Sequence, residues 1–103
     1  MFIITYILMI VSMIKIIFEI PEATNIKEKR NVVKSIKDKM YRRFHMSASE
    51  IDMLDSISFA QIGGALVSNS KVFGETVMQK AFAMIEKETP VRIQDVSIYS
   101  EEF

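Results

Sequence analysis

The first twenty residues, MFIITYILMIVSMIKIIFEI, carry no charge before Lys15, and what this run becomes decides the class of the whole chain. A membrane helix needs about 20 consecutive apolar residues. Here Lys15 and Glu19 interrupt the run, and Thr5, Tyr6 and Ser12 dilute it. A secretory signal needs a basic start and a small-residue cleavage site, and neither is present. The run is dense in Ile, Val, Phe, Tyr and Thr, the residues that fit a pleated, half-buried surface. From Ile14 the parity is clear, with Ile14, Ile16, Phe18 and Ile20 on one side and Lys15, Ile17 and Glu19 on the other. Pro21 ends it. The run reads as a strand, and no membrane partner is expected.

The remaining elements follow from periodicity. Asn25 with Glu28 three residues on makes a capping-box-like helix start. Ile26, Val33, Ile36, Met40 and Phe44, widened by Val32, then give one apolar helical face. His45 to Asp55 alternates as a second strand, with His45 also suited to cap the helix before it. Asp55-Ser56 makes a turn, and Ile57 to Val67 is a third strand. Ser68, Asn69 and Ser70 are candidate N-caps for a second helix whose buried face would be Phe73, Val77, Ala81, Met84 and Ile85. Thr89-Pro90 stops that helix, and VRIQDVSIY is a last strand whose parity slips near Gln94-Asp95, as at a bulge. The order β-α-β-β-α-β predicts an α+β fold. Two right-handed crossovers joined by a hairpin make a ferredoxin-like α/β sandwich, a four-stranded antiparallel sheet with two helices on one face.

Composition narrows the chemistry. The 103 residues suffice for one domain, and half of them are hydrophobic. There is no cysteine, which removes disulfides, thiol catalysis and thiolate metal sites, and His45 is the one histidine. Charge balances at 13 basic against 13 acidic side chains, but its distribution is uneven. Residues 26–44 hold Lys27, Lys29, Arg30, Lys34, Lys37, Lys39, Arg42 and Arg43 against Glu28 and Asp38. Lys27, Arg30, Lys34, Lys37 and Tyr41 fall in one helical stripe that could follow phosphates, with Tyr41 available to stack on a base. The plainer alternative is a solvated outer face.

Other groups offer less. Glu50 and Asp52 would share a strand face, with Asp55 beyond, and could bridge a hard cation; a charged edge strand that resists pairing is the simpler reading. Gly63-Gly64 lacks the lysine of a phosphate loop and sits in a strand, where glycine admits a bulge or a closely packed helix. Ser68-Asn69-Ser70 could receive an anion but caps a helix more simply. No nucleophile and base stand together, so no catalytic residue, cofactor or metal is expected, and an enzyme is not the expectation.

The run Ile20-Pro21-x-Ala23-x-Asn25-Ile26-Lys27-Glu28-Lys29-Arg30-Asn31-Val32-Val33-Lys34-Ser35-Ile36-Lys37-Asp38 resembles the signature of the YlxP-like family, bacterial domain of unknown function 503. The typical form of that signature is IPxAxSLKxKRxVVKSLKD. The likeness continues through Arg43-Phe44, Ser47, Glu50-Ile51-Asp52, Asp55, Ala60, Gly63 and Val67-Ser68-Asn69, and covers about Met9 to Tyr99. The resemblance implies a ferredoxin-like fold. Its genes often lie beside those for translation initiation and ribosome maturation factors, which implies a cytoplasmic, RNA- or ribosome-linked role by association. The matching basic positions Lys27, Lys29, Arg30, Lys34, Lys37 and Arg43 carry over as candidate contacts. Where the family commonly has His-Gln, then Asp, then Trp two residues later, this chain has Met53, Leu54, Asp55 and Ile57, and Phe59 replaces a basic residue. Any metal or small-molecule site there is doubtful in this chain, and the hairpin favours a protein partner. Aligned on Pro21, the family start falls at Met9. Strand one is then Ile10 to Ile20, and Met1 to Leu8 is an apolar extension or an upstream choice of start codon.

Two expectations follow. One is a non-catalytic cytoplasmic binding protein that meets ribosomal RNA or a ribosomal subunit through Lys27, Lys29, Arg30, Lys34, Lys37, Tyr41 and Arg43. The other is a homodimeric interaction module with no nucleic-acid role, using the open sheet face and interface candidates Ile17, Ile57 and Phe59. An acylphosphatase-like enzyme shares the element order but needs a phosphate-cradling loop after strand one. Pro21-Glu22-Ala23-Thr24 is acidic there and lacks glycine and arginine.

Overall fold

The computed structural model describes residues 8–103. Its elements run β1 (Ile10–Glu19), α1 (Ile26–Phe44), β2 (Ser47–Asp52), β3 (Phe59–Ser68), α2 (Lys71–Glu88) and β4 (Arg92–Glu102). The four strands form one sheet in the order β2-β3-β1-β4, every neighbouring pair antiparallel. This is the ferredoxin-like arrangement the sequence predicts. Each helix crosses between strands that are parallel to each other and separated by a third, so both helices fall on one face.

β1 owes its central place to the parity of its sequence. Ile10, Ser12, Ile14, Ile16 and Phe18 are buried, while Val11, Met13, Ile17 and Glu19 are half-buried and Lys15 is exposed. The buried side meets Ala60 and Ile62 of β3, Val33, Ile36 and Met40 of α1, and Met78, Ala81 and Ile85 of α2. Among the described residues no helix is long and apolar enough to cross a membrane. Of the apolar extension Met1 to Leu8, residues 1–7 lie outside the described residues.

α1 starts where its caps dictate. The Asn25 side chain accepts from Glu28 N at 2.9 Å, and the Glu28 carboxylate in turn accepts from Thr24 N at 2.9 Å and from the Thr24 hydroxyl. The helix stops at His45, whose φ of 54° turns the chain into the left-handed region and lets its N–H reach Tyr41 O. His45 therefore caps α1 and does not begin β2.

β2 is shorter than its alternation suggests. Met53 adopts φ 64° and its N–H bonds to Asp52 Oδ1 at 2.7 Å, which turns the chain out of the strand at Asp52. The turn then occupies residues 53–58, and β3 starts at Phe59 and not at Ile57. Register also shifts between Glu50, opposite Ile62, and Asp52, opposite Gln61. Glu50 and Asp52 consequently do not share a face, which removes the paired carboxylates expected of an extended strand. The slip expected at Gln94-Asp95 is a real bulge, since Ile17 pairs with Asp95 and Phe18 with Ile93.

α2 corrects one expectation. Its buried residues are Gly74, Met78, Ala81, Met84 and Ile85, while Phe73 is 57% exposed and Val77 half-buried. Ser70 is the N-cap, accepting from Phe73 N at 3.2 Å. Gly74 sits over β1 so closely that a Cβ there would collide with Ser12 Oγ and lie 2.8 Å from Ser12 Cβ. The Ser12 hydroxyl is itself buried and 2.8 Å from that of Ser100 on β4. Close approach over β1 needs a residue without a side chain, and that fixes the helix rotation.

Candidate nucleic-acid interface

The candidate contacts all lie on α1, and the helix sorts them by angle. Ile26, Lys29, Val33, Ile36 and Met40 follow one another at spacings of three and four, the row that faces the sheet. Lys27, Arg30, Lys34, Lys37 and Tyr41 run along the flank turned away from α2. Lys39 and Arg43 run along the flank turned towards it. Arg43 forms an ion pair with Glu88 of α2 at 2.8 Å, which holds the Glu88 carboxyl below its ordinary range and raises the Arg43 guanidinium.

The flank stripe is open to solvent. Lys27, Arg30 and Lys34 are exposed, Lys37 is half-buried, and Tyr41 at the end of the row is 68% exposed. Among the described residues one ion pair touches this row, Lys34 to Asp38 at 3.7 Å within the helix. Glu28, the other acid of α1, projects on the opposite side and is held by Thr24, whose hydrogen bonds keep its carboxyl below the usual range. Neighbours on the row sit about 5–6 Å apart at their Cβ atoms. The result is a line of cations along about three helical turns.

Lys29 does not belong to this surface. It is fully buried, its ammonium 2.9 Å from Glu50 Oε2 and donating to the Met53 carbonyl at 2.5 Å. The carboxylate is 15% exposed, and the pairing is by proximity, since Glu50 Oε2 makes no well-directed hydrogen bond. Lys29 is thus a bracket between α1 and the β2–β3 turn, and its place as a nucleic-acid contact is withdrawn. A signal in the sequence announces this, because Lys29 falls three residues after Ile26 and four before Val33, inside the apolar row. Arg43, spent on Glu88, is likewise a tie between the helices.

The acidic group is dispersed. Glu50 faces Lys29, Asp52 bonds the Met53 N–H, and Asp55 is exposed in the turn. Among the described residues no three metal-ligating side chains converge.

The open face of the sheet is mixed. Cross-strand rows on it read Val67-Val11-Glu101, then Ala65-Met13-Tyr99, Gly63-Lys15-Ser97, Gln61-Ile17-Asp95 and Phe59-Glu19-Arg92. Ser47 and Ser49 of β2 extend the second and third rows beyond Ala65 and Gly63. Ile17 lies on this face, half-buried between Gln61 and Asp95, and Phe59 sits at its edge beside Glu19. Ile57, 42% exposed, is in the turn and belongs to no row. The apolar rows are those of Val67, Val11, Met13 and Tyr99, at the other end. Strand parity could have located them, had the exact register been known.

A family model described as "Protein of unknown function (DUF503)" matches residues 11–98. The uncharacterized protein YlxP of Bacillus subtilis (strain 168) is 37% identical over 65 residues, which is 63% of this chain and 71% of that protein.

Proposed function

We propose, for a chain that belongs to the DUF503 family, that it is a non-catalytic binding protein whose α1 flank lies along the phosphates of structured RNA. The observation that carries this reading is the solvent-open row of Lys27, Arg30, Lys34 and Lys37, with Tyr41 at its end and a single weak acidic partner beside it. A row of cations on a rigid helix tracks a phosphate backbone without ordering a loop, so little entropy opposes contact. Tyr41 adds a flat, exposed ring on which an unpaired base can stack, a contact worth about 1–3 kcal/mol. Ribosomal RNA, free or in a subunit, is the RNA class proposed, which places the protein's work in the cytoplasm.

The test is binding of ribosomal subunits and of a labelled rRNA fragment across a salt series. Four phosphate contacts give a log–log slope of about −3, roughly a sixty-fold loss of affinity between about 50 and 200 mM salt. Reversal of Arg30, Lys34 and Lys37 to glutamate should abolish binding with the melting temperature preserved. Unaltered binding by that variant, or a flat salt response, overturns the reading.

A further inference from the structure

We propose that β4 pairs antiparallel with β4 of a second copy of this chain, about a two-fold axis at Ser97, so that two four-stranded sheets become one continuous sheet. The outer strands are β2 and β4. β2 is six residues long and is turned away at Met53, whereas β4 runs eleven residues without the proline or lysine that commonly guards an edge. Its bulge lies at the start, by Gln94, and leaves the pairing from Asp95 to Glu102 regular. The core is also unfinished along this edge. Ile93, Val96 and Ile98 pack against it, as does Phe82 of α2, yet all four stay half-buried because the sheet ends there.

The hydrogen-bond pattern limits the register. Phe103 N–H donates to Met9 O across the β1–β4 pair, and hydrogen-bonded and open pairs alternate from that point. Ser97 and Tyr99 therefore turn their backbone groups to β1, while Val96, Ile98 and Ser100 turn theirs outward. An axis at Ser97 sets outward Val96 opposite outward Ile98 of the other copy, twice, each pair exchanging both of its backbone bonds. The same pairs lay Val96 against Ile98 on the helix side, where both are half-buried in the single chain. On the open side Asp95 stands opposite Tyr99. Past the bulge Arg92, on the open side where it holds Glu19 at 3.2 Å, comes level with Glu101 of the other copy. An axis at Ile98 would set Asp95 against Glu101, two like charges. An axis at Val96 would lay Ile98 on the bulge.

The helices fit the same axis. α2 packs over β1 and β4 and runs antiparallel to β4, with Gly74 above Ser12, which bonds Ser100. Ser97 lies about 10 Å back along β4 from Ser100, or about seven residues along the helix from Gly74, at Phe82. Glu88 marks the α1 side of α2, and Phe82 lies about 120° round the helix from it, on the β4 side. Pairing at β4 brings the two α2 axes to about 10 Å, an ordinary packing distance. Phe82 then meets its own copy across the axis, and Gln79 comes beside Glu86. The basic row of α1, turned away from α2, stays on the outer side of each copy.

Light scattering at about 100 μM chain, well above a micromolar Kd, should give a mass near twice the 11.9 kDa of one chain. Ser97 is exposed, so Ser97→Lys and Ser97→Asp should each fold, as circular dichroism reports, and each should be monomeric because like charges meet on the axis. An equimolar mixture of the two should regain the doubled mass. Disulfide capture reads the register, since the chain has no cysteine: Ser97→Cys should cross-link to a homodimer faster than Ser49→Cys on the β2 edge. A wild-type monomer at this concentration overturns the proposal. A dimer that survives both charged variants, or Ser97→Cys capture no faster than that of Ser49→Cys, overturns it as well.

Discussion

At the scale of single residues, Lys29 has the largest expected effect. Its ammonium has left water for Glu50 and the Met53 carbonyl, and removing it strands both acceptors in a nearly closed site. Lys29→Met should cost about 3 kcal/mol in chemical denaturation, the range for breaking a buried pair. Adding Glu50→Leu should recover a large part of that loss, because two apolar groups need no partner. RNA affinity and its salt slope should be untouched by the double variant, which separates the bracket from the exposed row. Gly74 is the other sensitive position. Gly74→Ala improves helix propensity, yet its methyl strikes Ser12, whose hydroxyl is engaged with Ser100. A net loss of about 1–3 kcal/mol in urea unfolding is expected, as for an overpacked core, and an unchanged midpoint would mean that α2 does not seat directly on Ser12.

At the scale of elements, α1 is built to hold its ends. Glu28 in the first turn and Arg42 and Arg43 in the last complement the helix dipole. The Glu28 carboxyl is held below its ordinary range chiefly by the Thr24 hydroxyl, with the Thr24 N–H adding to it. A carboxyl whose pKa is lowered by folding stabilises the fold above its unfolded pKa, and that contribution disappears as pH falls through the folded value. Glu88, lowered by Arg43, acts in the same direction where α2 ends. Thermal melts of wild type and Glu28→Gln should therefore differ at neutral pH and converge in acid. A gap that persists below the carboxylate range would mean that the charged form contributes nothing. β2 shows the opposite economy: with a register shift, a left-handed Met53 and Asp52 turned onto its own neighbour, it ends early and forms a poor edge for pairing.

At the scale of the molecule, two surfaces remain outside the core and they are of different kinds. The α1 flank is charged; the open sheet face is mixed in polarity. Because the basic row is turned away from α2, on the side of the molecule far from β4, the charge reversals on α1 should leave the mass in solution unchanged, and Ser97→Asp should leave the salt slope of RNA binding unchanged. Coupled loss of both properties in either variant would contradict this separation. The structure scatters the three interface candidates Ile17, Ile57 and Phe59 over different surroundings. The first is flanked by Gln61 and Asp95, the second stands in a turn and the third beside Glu19.

The amino-acid sequence alone determines the order of elements, the central burial of β1, the cap at Asn25 and the bulge near Gln94, and narrows the cap of α2 to Ser68, Asn69 or Ser70. Each depends on residues within a few positions of one another, where backbone geometry and side-chain spacing act directly. It also contains the clue to Lys29, which interrupts the row from Ile26 to Met40. What only the tertiary structure decides is partnership across distance. Lys29 finds Glu50, Gly74 displaces Phe73 from the helix–sheet contact because Ser12 leaves no room, and Ala65 and Gly63 come level with Met13 and Lys15. Composition cannot supply these, because a register offset of one residue would send every side chain of a strand to the other face.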